Sequence, residues 1–108
     1  MIRAILHYQF PDGRQPFSEW FLSLPDKKTQ SRIAARLDRL VAGNFGDIKL
    51  VGTGVWELRF HFGPGYRVYF GLDRDVLVIL LSGGDKSTQD SDVRRARDYW
   101  TDYLSRKI

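Results

Sequence analysis

The sequence predicts an α+β domain in which helices pack on one antiparallel sheet. Two stretches in its second half, Val55–Phe62 and Tyr66–Phe70, alternate apolar and polar residues with the period of two that marks a half-covered strand. On either side of them, apolar residues recur every three or four positions, the period of an amphipathic helix. With 108 residues, 43% of them hydrophobic and 14% aromatic, the chain has the length and apolar content for one core, so residues 1–108 read as a single domain.

Taken in order, Arg3–Phe10 carries Ile5, Leu6, Tyr8 and Phe10 ahead of Pro11-Asp12-Gly13, a first strand ending in a turn. Pro16 suits the first turn of a helix, where its missing N–H costs nothing. Phe17, Trp20, Phe21 and Leu24 follow at helical spacing until Pro25 stops them. Asp26 can cap a second helix whose Ile33, Leu37, Leu40 and Val41 share one face, and Gly43-Asn44 offers a left-handed stop. The two helices make a hairpin. Asn44–Gly54 holds three glycines and no helical period, so it reads as a crossing loop. The alternating strands come next, joined by Gly63-Pro64-Gly65, with Leu72–Asp75 as a second hairpin connection. Val76–Leu81 is continuously apolar, as an inner strand covered on both faces should be, and Ser82-Gly83-Gly84 ends it. From Ser87, with Asp90 completing a variant of the capping box, Val93, Ala96, Trp100 and Leu104 mark a terminal helix.

Composition removes several function classes. Without cysteine there is no disulfide framework, thiol nucleophile or thiolate metal site, which fits a reducing compartment. The longest apolar run is six residues, against the about 20 needed to span a bilayer, and the apolar start at Met1–Leu6 is too short for a signal peptide. A cytoplasmic domain without membrane contact is the expectation. The net charge of +4 permits a polyanionic partner without demanding one. Residues 1–54 carry eight basic and five acidic side chains, residues 55–108 nine and eight, so position matters more than bulk charge. On the second helix Lys28, Arg32, Arg36 and Arg39 form a positive stripe, which is either a solvated face or a contact for a partner.

The residues best suited to chemistry lie on the polar face of the alternating strands. There Glu57, Arg59 and His61 fall beside Arg67 and Tyr69, with Lys86 just past the last strand. RNA cleavage without a metal needs a base for the 2′-hydroxyl, cations for the charge growing on phosphate, and an acid for the leaving oxygen. In that reading Arg59, Arg67 and Lys86 hold the phosphate, Glu57 or His61 moves protons, and Tyr69 binds a nucleotide. Lys49, Arg36 and Arg39 are further candidates for substrate contact. The same alternation also describes an ordinary wet sheet face with cross-strand ion pairs. No metal or cofactor is called for: His7 and His61 are far apart in sequence, and neither Gly52-Thr53-Gly54 nor Gly83–Ser87 completes a nucleotide-binding glycine motif. His7 reads as structural or exposed.

The segments Pro16–Trp20, Arg32–Leu40, Gly43–Asp47, Glu57-Leu58-Arg59, Gly63–Phe70 and Leu80–Lys86, in this order, resemble the RelE/ParE toxin superfamily, and most closely its HigB-like branch of addiction module killer proteins. The resemblance implies a RelE-like fold, with the first strand inserted among the meander strands. It also implies the toxin of a bacterial type II toxin-antitoxin module, held by an antitoxin protein of the helix-turn-helix type. Many relatives cleave messenger RNA in the ribosome. Arg59, Arg67 and Lys86 match the basic positions of the pattern, whereas Glu57 stands where the founding ribonuclease has a lysine and no tyrosine lies near Val93. Two other readings stay open: a non-enzymatic inhibitor of DNA gyrase acting through the basic helical hairpin, and an inactive module that only binds antitoxin.

Overall fold

The computed structural model describes residues 3–107; Met1, Ile2 and Ile108 lie outside the described residues. Its elements are β1 (Ala4–His7), α1 (Pro16–Leu22), α2 (Lys27–Val41), β2 (Ile48–Gly52), β3 (Val55–Arg59), β4 (Arg67–Asp73), β5 (Leu77–Gly84), a 3₁₀ turn over Lys86–Thr88, and α3 (Gln89–Arg106). The fold is α+β, as expected, on one mixed five-stranded sheet of order β1-β5-β4-β3-β2.

Several local signals act as anticipated. Pro16 opens α1, and the Asp26 carboxylate accepts a hydrogen bond from the Thr29 N–H (2.7 Å) to cap α2. Gly43, at φ +92°, turns the chain out of α2 in the left-handed region that favours glycine. Asp26, Gly43 and the two prolines thus set the helical hairpin from local sequence alone.

Four expectations need correction. The stretch read as a loop contains β2, paired antiparallel to β3 with Ile48 opposite Leu58; Gly52 and Gly54 belong to the tight turn between them. The meander therefore has four strands. β1 is not inserted among them but lies at the edge, parallel to β5, with Ala4 opposite Leu77. The short connections β2–β3, β3–β4 and β4–β5 leave no gap for another strand, so the free side of β5 is where β1 can pair. β5 also runs on through Ser82-Gly83-Gly84. Its glycines are there for close approach: a Cβ on Gly83 would stand 2.2 Å from the Trp20 ring, and one on Gly84 1.8 Å from the Asp92 carboxylate. Finally, the last helical segment starts differently. Asp85 accepts from the Ser87 N–H (2.8 Å) and hydroxyl (2.6 Å), and Thr88 donates to Asp92, so Ser87 and Asp90 form no capping box.

Helices cover both faces of the sheet. On one, Leu58, Val68, Phe70, Val78 and Leu80 pack against Phe17, Ile33, Leu37 and Leu40 of the helical hairpin. On the other, Val55, Tyr69, Ile79 and Leu81 meet Ala96 and Trp100 of α3. At Tyr69/Phe70 the pairing of β4 with β5 shifts by one residue, a bulge on β5. The second face is the one whose alternation read as polar. It is polar only near one end, where β3 and β4 pass the N-terminus of α3, and there its charges are covered too.

Candidate functional site

Antiparallel register places Glu57 opposite Tyr69 and Arg59 opposite Arg67. Cross-strand neighbours in such pairs lie about 5 Å apart, so two arginines facing each other need separate compensation. They have it. Arg67 lies against Glu57, Nε to Oε1 3.8 Å, and Arg59 donates to the Asp47 carboxylate through Nη2 (2.8 Å) and Nε (3.2 Å). Each pair heads a distinct cluster.

The first cluster is buried. Glu57 is 0% exposed, and its Oε2 accepts hydrogen bonds from the Tyr69 hydroxyl (3.0 Å) and the Gln89 amide (2.8 Å) at the start of α3. Burial, reinforced by the Glu57 charge, pushes the Tyr69 hydroxyl far above its ordinary range, so it remains a donor. Arg67 turns Nη1 onto the carbonyls of Gly65 (3.1 Å), Tyr66 (3.1 Å) and Phe60 (3.4 Å), clamping the β3–β4 turn. Lys86 is exposed above that turn, its N–H donating to the Pro64 carbonyl (3.4 Å). The wet face expected for Glu57 and Tyr69 is thus a covered network under α3, with Lys86 at its outer rim.

The second cluster faces solvent. His61, 72% exposed, pairs through Nε2 with Asp47 Oδ2 (2.5 Å), while Arg59 occupies Asp47 Oδ1. The hydrogen bonds from Arg59 and then His61 hold the Asp47 carboxyl below the usual carboxylate range, keeping it an anion. The ionised carboxylate receives the Nε2 proton and leaves Nδ1 of a neutral imidazole free to accept another. Arg36 donates from Nη1 to the Arg59 carbonyl (3.2 Å), tying α2 to this cluster. Between α2 and the end of β3 opens a cleft of about 340 Å³ lined by Arg32, Arg36, Arg39, Phe60, His61 and Phe62.

The predicted residues therefore separate into three places. Glu57, Tyr69 and Arg67 come together with Lys86 above them, and Arg59 and His61 meet through Asp47 beside Arg36 and Arg39. Lys49, opposite Glu57 in the β2–β3 register, is exposed on the outer side of the Glu57 network, in a groove with Gln89, Arg94 and Arg97. Sequence reading missed Asp47 as a site residue, and also Gln89. Asp47 was hidden by the missed strand: once Ile48 pairs with Leu58, the preceding residue falls beside Arg59, whose N–H donates to the Asp47 carbonyl (3.0 Å). His7 is half-buried near Ser18, 3.4 Å from its hydroxyl, in an apolar groove of about 320 Å³, and burial lowers its pKa.

Among the described residues no helix is long and apolar enough to cross a membrane, and no group of three or more histidines and carboxylates is placed to hold a metal. A family profile described as "Phage derived protein Gp49-like (DUF891)" matches residues 19–98, a span that holds both clusters. A protein of Haemophilus influenzae, described as uncharacterized, is 52% identical over 81 residues, covering 75% of this chain and 82% of its own. The match extends over α2, the meander and most of α3, and the chain belongs to the phage-derived Gp49-like family.

Proposed function

We propose that this protein is the toxin of a type II toxin-antitoxin module and that it cleaves messenger RNA on the ribosome. Membership of the Gp49-like family, a RelE-like family of addiction module killers, supports the toxin reading. The observation that carries the nuclease reading is the Asp47-tethered His61, exposed beside Arg59 and next to arginines that have no carboxylate partner among the described residues. In this reading the order of helical hairpin, sheet and terminal helix is the HigB-like version of a RelE-like fold, with β1 displaced to the edge. The protein works in the cytoplasm and is silenced by an antitoxin of the helix-turn-helix type that covers the cationic rim or a neighbouring sheet edge.

Cleavage proceeds by attack of a ribose 2′-oxygen on the adjacent phosphorus. Unprotonated Nδ1 of His61 takes the 2′-hydroxyl proton, the bond from phosphorus to the 5′-oxygen breaks, and that oxygen leaves with a proton from water or a protonated side chain. The products are a 2′,3′-cyclic phosphate and a 5′-hydroxyl. Arg59 stabilises the charge that builds on the non-bridging oxygens, and Lys86, at the rim of the other cluster, holds a flanking phosphate of the strand. Arg67 is a positioning residue, because its guanidinium is committed to the carbonyls of the turn between them. Glu57 and Tyr69 hold α3 over that turn.

The test is primer extension on a reporter messenger RNA in a purified translation system, with ribosomes present or omitted. His61→Gln serves as the site control, since an exposed side chain leaves folding intact. Cuts that need ribosomes and vanish in the variant are expected. Absence of cuts together with inhibition of supercoiling by purified DNA gyrase would overturn the reading in favour of a gyrase inhibitor.

A further inference from the structure

Charge pairing is uneven across the molecule. Arg95, Arg106 and Lys107 each meet a carboxylate, as do Arg59 and Arg67 on the sheet, whereas Arg94 and Arg97 on α3 and Lys49 on β2 meet none among the described residues. Arg32, Arg36 and Arg39, on one face of α2, have none among the described residues. Nη2 of Arg36 is buried with no hydrogen-bond partner, packed on the loop at Gly46, where a Cβ would stand 2.9 Å from it, so this charge is desolvated and uncompensated rather than open to direct contact. Desolvation, and then the charge of Arg39, weaken the hold of Arg36 on its proton, which marks a position where an added anion is favoured.

The cleft these arginines line also has aromatic walls. Arg32 lies over the Phe62 ring, 3.6 Å from its centroid, and Arg36 over Phe60 at 5.0 Å. A guanidinium held as close to an aromatic ring as Arg32 is, with no carboxylate partner among the described residues, has a face to offer a ligand, and arginine faces are platforms for unstacked nucleobases. A duplex backbone needs cations but no pocket, and an acidic peptide needs no stacking plane. A nucleotide uses both.

The geometry points to a single-nucleotide subsite in the cleft between α2 and the end of β3, taking one unpaired RNA nucleotide with its phosphate on Arg39, in the field of the desolvated Arg36, and its base on Arg32. It rests on the reading of RNA as the substrate and adds the place where a neighbour of the cleaved linkage is held. His61 lines the same cleft, so a nucleotide seated there delivers the next ribose to the imidazole. The subsite selects single-stranded RNA, because a base locked in a duplex cannot enter it.

Binding is measured by fluorescence anisotropy with an oligoribonucleotide methylated at every 2′-oxygen, which blocks cleavage, and carrying 2-aminopurine at one position. Arg32→Ala and Arg39→Gln are each expected to weaken binding about tenfold, the order that loss of one stacked base or one phosphate contact gives. Arg74→Gln, at an exposed turn away from the cleft, removes one charge and is expected to cost less than twofold. The 2-aminopurine emission should change on binding to the parent chain and not to Arg32→Ala. Equal losses in all three variants, equal affinity for a duplex of the same sequence, or displacement of the RNA by a glutamate-rich peptide would overturn the subsite. If the blocked RNA binds in this pattern but no messenger is cut, the cleavage reading fails and the subsite stands. If cuts persist and Arg32→Ala binds as the parent does, the reverse holds.

Discussion

Gly71 and Trp100 are in direct contact: a Cβ on Gly71 would sit 2.3 Å from Cζ3 of the indole, on the face of the sheet that α3 covers. On the opposite face Trp20 lies as close to Gly83, so each layer of helix is seated by one tryptophan on bare glycine, Trp100 lying against Gly54 as well. The indole of Trp100 is held in turn by stacking on Tyr103, centroids 5.3 Å apart. It has nowhere to retreat. Gly71→Ala is therefore expected to destabilise the protein by about 2 kcal/mol or more, the scale of overpacking a filled core, and to loosen α3 before the helical hairpin. Urea unfolding followed by tryptophan fluorescence, with hydrogen exchange to locate the change, checks both statements.

Asp47 separates a structural effect from a chemical one. Its side chain is one-third exposed, and ion pairs of that kind contribute at most about 1 kcal/mol. Asp47→Asn should therefore leave the melting temperature nearly unchanged. It removes the anion that orients the His61 imidazole and holds Arg59, and misplaced groups cost rate steeply. A fall in RNA cleavage of tenfold or more is expected, with toxicity in growing cells lost in parallel.

Glu57 behaves in the opposite way. Truncating it leaves Arg67 without its carboxylate, along with the Tyr69 hydroxyl and the Gln89 amide, in a covered network. Glu57→Ala is expected to cost about 3–5 kcal/mol, the range for breaking a buried pair. Tyr69→Phe removes one hydrogen bond to a carboxylate and should cost about 1–3 kcal/mol. The double variant should fall short of the sum, because both substitutions empty one network. A fully stable Glu57→Ala chain that had merely lost cleavage would instead make Glu57 the base.

Tyr8 and Tyr103 share with Tyr69 the alkaline limit of stability. Burial and the carboxylates they donate to, Asp102 for Tyr8 (2.7 Å) and Asp73 for Tyr103 (2.6 Å), push both hydroxyls from 10 up to about 12. A group whose pKa is raised by folding contributes stability below its unfolded value and loses it as pH climbs through the folded one. Stability should thus decline between pH 10 and about 12, and Tyr8→Phe or Tyr103→Phe should flatten the decline. Asp73 has the reverse sign: hydrogen bonds from Lys107 and then Tyr103 hold it below 3.8, so its contribution is present above that value and fades in stronger acid. Tyrosinate absorbance and urea unfolding across the pH range follow both limbs.

The helices were legible because their signals are local. Pro16, Asp26 and Gly43 act within a few residues of themselves, and the apolar repeats of α2 and α3 need no knowledge of a partner. The glycines misled. Gly52 and Gly54 mark a turn between two strands, and Gly83 and Gly84 lie inside one, because what they accommodate is a side chain from Arg97, Trp100, Trp20 or Asp92 brought from elsewhere in the chain. The same limit applied to the site. Alternation placed Glu57, Arg59, Arg67 and Tyr69 on one face, which was right, but only the fold shows α3 lying on half of it. The cleft on α2 required the reach of Arg36 to the carbonyl of Arg59, which no periodicity encodes.

The parallel pairing of β1 with β5 has a consequence for the order of events during synthesis. A nascent chain can close the α1–α2 hairpin, and later the β2–β3–β4 meander, from neighbouring segments as they emerge. Ala4–His7 must wait, unpaired, until Leu77–Leu80 has left the ribosome, which is most of the chain. Contacts spanning such a separation carry a large closure entropy and form late. A truncated product ending before β5 would leave the apolar segment Ala4–His7 with no strand to pair with and expose the Val78 and Leu80 side of the core as a vacancy. Completion of the sheet is thus a built-in check on chain length, and an incompletely translated copy is expected to be a ready substrate for proteolysis.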